Sequence, residues 1–135
     1  MGRSLLILLD THVVVWLAQD YQRISPKAQT AIEQARNKDQ GVAISCISLI
    51  EIARLASYGH IHLTPDAETV LAEVERRFIV LSITRNIALQ AYELPDRYPK
   101  DPADRIIGAT SLVEDIPLLT ADAEIRKARV CPTIW

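Results

Sequence analysis

The sequence of 135 residues has few cysteines, no long apolar run and no excess of positive charge. It contains no run of about eighteen or more apolar residues, so no membrane-spanning helix is predicted. The N-terminal stretch MGRSLLILLD lacks the long apolar core and the small-residue cleavage site of a signal peptide. We therefore expect a cytoplasmic protein.

The two cysteines, Cys46 and Cys131, are far apart in the sequence and form no C-x-x-C motif. This spacing predicts reduced, buried thiols rather than a disulfide or a metal site. The net charge of −2 argues against a strong, non-specific nucleic-acid binder, because such proteins are usually basic. Internal repeats, low-complexity segments and linkers are also absent, which predicts a single domain over residues 1–135.

Aliphatic runs of strand length alternate with helical segments along the chain. Strands are predicted at Leu5–Leu9, Gly41–Ser45, Phe78–Leu81, Pro117–Leu119 and Val130–Trp135. Helices are predicted at Thr11–Gln19, Ser25–Asn37, Ser48–Tyr58, Thr64–Arg77, Thr84–Leu94, Asp101–Glu114 and Asp122–Ala128. This alternation indicates an α/β fold in which helices cover both faces of a parallel sheet. Ligands of such sheets bind beyond the carboxyl ends of the strands.

Four carboxylates are predicted at that edge of the sheet. Asp10 ends the first strand and Asp122 follows the strand ending in LLT, whereas Glu51 and Asp104 are expected in the first turns of two helices. A carboxylate beside a core is costly unless it is paired, hydrogen-bonded or bound to a metal. A cluster of them is usually neutralised by a hard divalent cation such as Mg²⁺, which takes oxygen ligands and often bridges to phosphate.

Each carboxylate taken alone also fits a helix cap. Asp10 and Asp122 are of the type preferred at the N-cap, Ser48–Glu51 fits a capping box, and Asp101–Asp104 resembles one. The helix dipole also favours acidic residues in a first turn. Capping does not explain the apolar residues that flank Asp10 and Glu51, so a shared site is the favoured interpretation of the four together.

Four segments resemble the PIN-domain nucleases and, among them, the VapC toxins of bacterial toxin–antitoxin pairs. They are LLDTHVVVWL (Leu8–Leu17), ISCISLIEIARLASYGHI (Ile44–Ile61), DPADRIIGAT (Asp101–Thr110) and LLTADAEI (Leu118–Ile125). The resemblance covers nearly the whole chain and implies one PIN-like domain with a five-stranded parallel sheet. Ile50 and Ala103 stand where many relatives have Trp and Phe, and these departures concern only local packing.

The resemblance implies a Mg²⁺- or Mn²⁺-dependent endoribonuclease that leaves a 5′-phosphate and a 3′-hydroxyl. The acidic quartet of that family maps to Asp10, Glu51, Asp104 and Asp122. Asp10 and Asp104 are the first choices for direct metal ligands, with Thr11 and Thr120 in supporting roles. An RNA substrate, a homodimer and an antitoxin whose tail occludes the acidic site are implied as well.

Other polar and aromatic residues have open interpretations. Basic residues that could hold an RNA backbone, or simply lie on a solvated surface, are Arg97, Lys100, Arg105, Arg126, Lys127 and Arg129. His60 and His62 form H-x-H after Gly59, which predicts a turn rather than a metal pair. His12 is expected to pack or cap locally, with substrate contact as the alternative. Trp16 and Trp135 fit either a core or an interface.

Three other functions fit the sequence less well. A receiver-like phosphoacceptor domain needs an Asp after a middle strand, but FIVLS is followed by Ile83-Thr84-Arg85. A haloacid-dehalogenase-like phosphatase needs Asp-x-Asp after the first strand, where this chain has Asp10-Thr11-His12. A catalytically silent PIN-like binding module stays an alternative. No nucleophilic triad or phosphate-binding glycine loop was found, so a metal-activated water is the expected nucleophile.

Overall fold

The computed structural model describes residues 6–37, 41–57 and 66–135. Its strands are β1 (Ile7–Leu9), β2 (Val42–Ser45), β3 (Ile79–Leu81), β4 (Leu118–Leu119) and β5 (Thr133–Ile134). Its α-helices are α1 (Thr11–Gln19), α2 (Pro26–Asn37), α3 (Ile47–Ser57), α4 (Ala67–Arg77), α5 (Arg85–Glu93), α6 (Pro102–Glu114) and α7 (Ala123–Ala128). A 3₁₀ turn, Tyr21–Arg23, joins α1 to α2. None of the described helices is long and apolar enough to cross a membrane.

The five strands form one sheet in the order β3-β2-β1-β4-β5, and every neighbouring pair is parallel. Strand β1 is central, with Leu8 opposite Ala43 on β2 and opposite Leu118 on β4. The predicted α/β fold with a parallel sheet is therefore confirmed. All five predicted strands are present, although each begins one to three residues later than predicted.

The aliphatic run of β1 is buried because the sheet has a core on each face. Leu9 packs with residues of α1 to α4, including Val13 and Ile52. Leu8 points the other way and packs with Tyr98 and Ile107. Side chains alternate between the two faces of a strand, so a strand covered on both faces must be apolar throughout.

Helix caps fix where the helices begin. Ser25 and Asp101 each accept a hydrogen bond from a backbone N–H in the first turn of the following helix, as predicted, and Thr84 caps α5 in the same way. Helix α4 is capped by Asp66, whose carboxylate accepts from the Thr69 N–H at 2.7 Å. The predicted start of α4, Thr64-Pro65, lies outside the described residues, as do Gly59, His60 and His62.

Gly108 sets how closely α6 approaches its neighbours. A Cβ atom at this position would lie 2.3 Å from the hydroxyl oxygen of Tyr98, which is fully buried. The same hydroxyl donates to the Asp104 carbonyl at 2.9 Å. The absent side chain at Gly108 therefore lets a buried tyrosine hold the first turn of α6 in place.

Cys46 and Cys131 are both free thiols, as predicted. Cys131 is buried, but Cys46 is only half-buried.

Candidate active site

The carboxyl ends of β1, β2 and β4 open onto one cleft of about 350 Å³. Asp10 follows β1 directly, Glu51 lies on the helix after β2, and Asp122 follows β4. Asp104 reaches the same cleft from the first turn of α6. The lining residues are Asp10, Thr11, His12, Glu51, Arg54, Leu55, Asp104 and Asp122. The structure thus brings together the four carboxylates that the sequence places at this edge.

Asp10 is the most firmly held member of the cluster. It is 4 % exposed, and both of its carboxylate oxygens accept hydrogen bonds. One oxygen accepts from the Thr11 N–H at 2.8 Å, and the other accepts from the Thr120 hydroxyl at 2.8 Å. The first bond is that of a helix cap, whereas the second joins β1 to the end of β4. Asp10 is therefore a cap and also part of a network that links two strand ends.

The Thr120 hydroxyl forms a hydrogen-bonded bridge between Asp10 and Asp122. Its hydroxyl donates to Asp10 and accepts from the Asp122 N–H at 3.0 Å. The side chain is fully buried, so both bonds are shielded from water. Thr120 therefore fixes the position of Asp122 relative to Asp10.

The expected capping box at Ser48–Glu51 is wrong. Helix α3 begins at Ile47, which places Glu51 in the second turn. Ser45 accepts from the Ile47 N–H at 3.2 Å, while the Ser48 side chain is buried 2.8 Å from the Thr11 hydroxyl. The Thr11 hydroxyl donates its only proton to Glu51, so the Ser48 hydroxyl must donate to Thr11. Glu51 is thus oriented by Thr11 and has no capping role.

Asp122 does cap a helix, as the sequence allowed. One carboxylate oxygen accepts from the backbone N–H groups of Glu124 and Ile125, at 2.8 and 3.2 Å. Its second oxygen accepts no hydrogen bond from the part of the chain that the structure describes. Asp122 therefore combines a cap with a free oxygen at the cleft.

Asp104 is held least. Across residues 6–37, 41–57 and 66–135, no hydrogen bond or ion pair reaches its carboxylate. Burial raises the pKa of Asp104 to about 7, and the nearby charges of Asp10, Asp101, Asp122 and Glu51 act in the same direction. Burial also raises the pKa of Glu51, against the opposing effects of the Thr11 hydrogen bond and the Arg54 charge. The cleft thus carries uncompensated negative charge.

The donor set fits a hard cation that keeps much of its water. Within the described ranges, no three Asp, Glu, His or Cys side chains are arranged as ready-made ligands of one ion. Mg²⁺ commonly binds through one or two carboxylates and several waters, so an open acidic cleft is compatible with it. The unpartnered Asp104 beside the fixed Asp10 is the feature that such an ion would satisfy.

Comparison with known protein families identifies the family to which this chain belongs. The family model described as "PIN domain" matches residues 7–130. The chain belongs to the PIN-domain family. The resemblance predicted from the four sequence segments is thereby confirmed.

Relatives of this PIN domain include the ribonuclease VapC22 of Mycobacterium tuberculosis. The two sequences are 36 % identical over 123 residues, which cover 91 % of this chain and 92 % of the relative. A solved toxin–antitoxin complex from Klebsiella pneumoniae contains a chain with a TM-score of 0.68 and 22 % identity, with 96 % of each chain covered. A chain of VapBC2 from Rickettsia felis, solved with a promoter DNA fragment, has a TM-score of 0.72 and 15 % identity, with 95 % and 96 % covered. These two structures share the fold of the present chain.

His12 packs at the side of the cleft in this PIN domain. Its Nε2 accepts from the Ala121 N–H at 2.9 Å, so this nitrogen carries no proton. Its ring lies 4.9 Å from the ring of Trp16 and 6.4 Å from that of Trp135, and burial lowers the His12 pKa. These contacts are those expected of a packing group, whereas contact between His12 and a substrate stays the alternative, since His12 also lines the cleft. Trp16 and Trp135 contact each other in the same half-buried cluster, and Arg23 covers the Trp16 ring at 4.2 Å.

The basic residues named from the sequence do not line the cleft. Arg105 donates to the backbone carbonyls of Ala91, Leu94, Tyr98 and Pro99, so its role is structural. Arg97 donates to the Ala128 carbonyl at 2.8 Å. Arg126, Lys127 and Arg129 line a separate shallow cleft at α7. Within the described part of the chain, the arginine that does line the acidic cleft is Arg54, which the sequence analysis missed.

Proposed function

We propose that this PIN domain is an endoribonuclease that hydrolyses RNA phosphodiester bonds with a divalent cation, Mg²⁺ or Mn²⁺, and that it is the toxin of a toxin–antitoxin pair. The observation that carries the proposal is the convergence of Asp10, Glu51, Asp104 and Asp122 on one cleft at the carboxyl edge of the sheet. Similarity to a protein named ribonuclease VapC22 supports RNA as the substrate.

Asp10 and Asp104 are the residues that we assign as direct ligands of the cation. Asp10 presents a carboxylate whose position is fixed by Thr11 and Thr120. Asp104 supplies the unpartnered carboxylate. We assign Glu51 and Asp122 as residues that would hold the cation through bound water, because Mg²⁺ commonly takes only one or two carboxylates directly.

A divalent cation bound there lowers the pKa of a water nucleophile and offsets negative charge on the phosphate. The protein orients the carboxylates and sets the pKa at which Asp104 loses its proton. Asp104 must lose its proton to bind a cation, and its pKa of about 7 makes that loss dependent on pH near neutrality. Glu51, oriented by Thr11, is placed to accept a hydrogen bond from the attacking water.

The ribonuclease proposal is tested with purified protein, free of any partner, and a labelled RNA. We expect cleavage with Mg²⁺ or Mn²⁺, none with EDTA, and a loss of at least ~10²-fold in rate for Asp104→Asn. Asp115→Asn is the matched control, because Asp115 is exposed at the far end of α6 and its left-handed backbone suits Asn. Full activity of Asp104→Asn at saturating Mg²⁺ would contradict the assignment. Absence of cleavage by the wild type would instead favour the silent binding module.

The proposed partners are an antitoxin protein and a second copy of this chain. The structural neighbour from Klebsiella pneumoniae is a toxin–antitoxin complex, which supports the antitoxin. The resemblance to the VapC toxins and the high apolar content of so short a chain support a homodimer. Light scattering of the free protein at micromolar concentrations tests the dimer, and a monomer throughout would contradict it.

A further inference from the structure

Among the residues that the structure describes, Arg54 is the arginine that lines the acidic cleft, and no hydrogen bond or ion pair explains its position there. It lies on α3 and lines the cleft beside Glu51 and Leu55. Its side chain is exposed, and within the described residues it forms no hydrogen bond or ion pair. Arg105 and Arg97, by contrast, are bound to backbone carbonyls. Arg54 is therefore free to bind something that enters the cleft.

Helix geometry fixes the direction in which Arg54 points. Glu51, Arg54 and Leu55 are spaced by three and four residues, which places them on one face of α3. Ile52 precedes Arg54 by two residues and so lies roughly opposite it around the helix; it is 2 % exposed and belongs to the core. The half-buried Leu55 lines the same cleft as Arg54.

Charge complementarity indicates what Arg54 binds. An RNA strand brings one negative charge per nucleotide to a cleft that already holds Asp10, Glu51, Asp104 and Asp122. One divalent cation offsets only two of those carboxylates, so an entering phosphate still meets a negative surface. A guanidinium group presents paired N–H donors that match two phosphate oxygens. Arg54 is placed to supply this missing positive charge.

We propose that Arg54 binds a phosphate of the RNA backbone at the acidic cleft and so positions the strand for cleavage. The inference rests on the proposed ribonuclease function and assigns a substrate-binding residue to it. Arg54 binds the RNA strand through its phosphate, whereas the carboxylates bind the cation.

The test compares Arg54→Gln, Arg54→Lys and Arg76→Gln with the wild type. Arg76 is the control, because it is an exposed arginine on α4 whose only described ion pair is with Glu73. Binding of a labelled single-stranded RNA is measured by anisotropy in EDTA at several salt concentrations, and KM and kcat are measured with Mg²⁺. Calorimetry with Mn²⁺ alone reports on the cation site.

We expect Arg54→Gln to weaken RNA binding and raise KM by ~10-fold or more, with kcat changed by less than ~3-fold. The slope of log affinity against log salt should fall by about 0.7, the value for one phosphate contact on a single strand. Arg54→Lys should lie between Arg54→Gln and the wild type, because it keeps the charge but not the paired donors. Mn²⁺ affinity should stay the same or rise slightly, since a neighbouring positive charge is removed.

Two results would overturn the inference. An unchanged salt slope and KM, with Mn²⁺ binding tightened, would mean that Arg54 only offsets the charge of Glu51. An equal loss of affinity in Arg76→Gln would mean that total charge, and not position, matters. Failure of the ribonuclease proposal is distinct, because it would appear as a wild type that cleaves no RNA, while the anisotropy measurements still decide the role of Arg54.

Discussion

Asp10 and Asp104 lie on the same cleft but are held in opposite ways. Asp10 is nearly inaccessible to water, and each of its oxygens accepts a hydrogen bond. Asp104 is half-buried, accepts no described hydrogen bond at its carboxylate, and has a pKa raised to about 7. Hydrogen bonds offset the cost of burying the first carboxylate, whereas the second keeps that cost until it gains a proton or a cation. One aspartate is therefore a fixed anchor, and the other is the group that responds to its ligand.

The anchoring of Asp10 is broken most strongly by Thr120→Val, which keeps the shape of the side chain and removes the hydroxyl. This change leaves one oxygen of Asp10 without its donor and the Asp122 N–H without its acceptor. We expect RNA cleavage to fall by roughly 10–100-fold and the free energy of unfolding by about 1–3 kcal/mol.

Thr120→Ser is the control for this prediction, because it restores the hydroxyl. Its cleavage rate should lie near that of the wild type. Equal rates for Thr120→Val and the wild type would show that Asp10 does not need this anchor.

The substitution Asp104→Asn removes the electrostatic repulsion between Asp104 and the neighbouring carboxylates. The pKa of Asp104 is higher in the folded chain than its ordinary value of about 3.9, so the folded state holds this proton more tightly. Without metal, stability should therefore decline as pH rises from about 4 to about 7 and then level off. In EDTA at pH 8, Asp104→Asn should raise the melting temperature by roughly 2–6 °C, the shift for about 1 kcal/mol after allowance for solvent screening.

Thermal melting in EDTA at acidic and alkaline pH measures this effect. At about pH 2.5 the variant and the wild type should melt together, because Asp104 is protonated there in both folded and unfolded states. A melting temperature of Asp104→Asn that is unchanged at pH 8 would show that the site stores no repulsion.

The smallest expected effect concerns the backbone beneath Asp104. Tyr98→Phe removes the hydroxyl that donates to the Asp104 carbonyl and keeps the aromatic ring beside Gly108. We expect a loss of about 1 kcal/mol in stability by denaturant titration and less than ~3-fold in cleavage rate. A large loss of cleavage with little loss of stability would mean that Asp104 depends on this backbone contact as strongly as Asp10 depends on Thr120.

Much of the fold could be predicted because its signals are local. The aliphatic run before Asp10 marks a strand buried on both faces, and Asp101-Pro102 marks a helix start without reference to the rest of the chain. The meeting of the acidic residues also followed from topology, since parallel strands share a carboxyl edge.

The details of the site depend on contacts between distant segments. Ser48 was expected to cap α3, but it contacts Thr11, 37 residues away, and α3 starts earlier than predicted. Arg105 was a candidate for RNA binding until the structure placed its guanidinium among backbone carbonyls. A signal for Arg54 was present in its spacing from Glu51, but its orientation toward the cleft is evident only once Ile52 is known to face the core.

The divalent-cation site is tested most directly by calorimetric titration of Mn²⁺ into the wild type and Asp104→Asn across a range of pH. Because the cation must displace the proton of Asp104, the wild-type Kd should fall about 10-fold per pH unit below about 7 and level off above it. Asp104→Asn should bind much more weakly, with a Kd that does not follow this profile. Equal Kd values for the two proteins, or a wild-type Kd independent of pH from about 5.5 to about 8, would contradict a cation site built on Asp104.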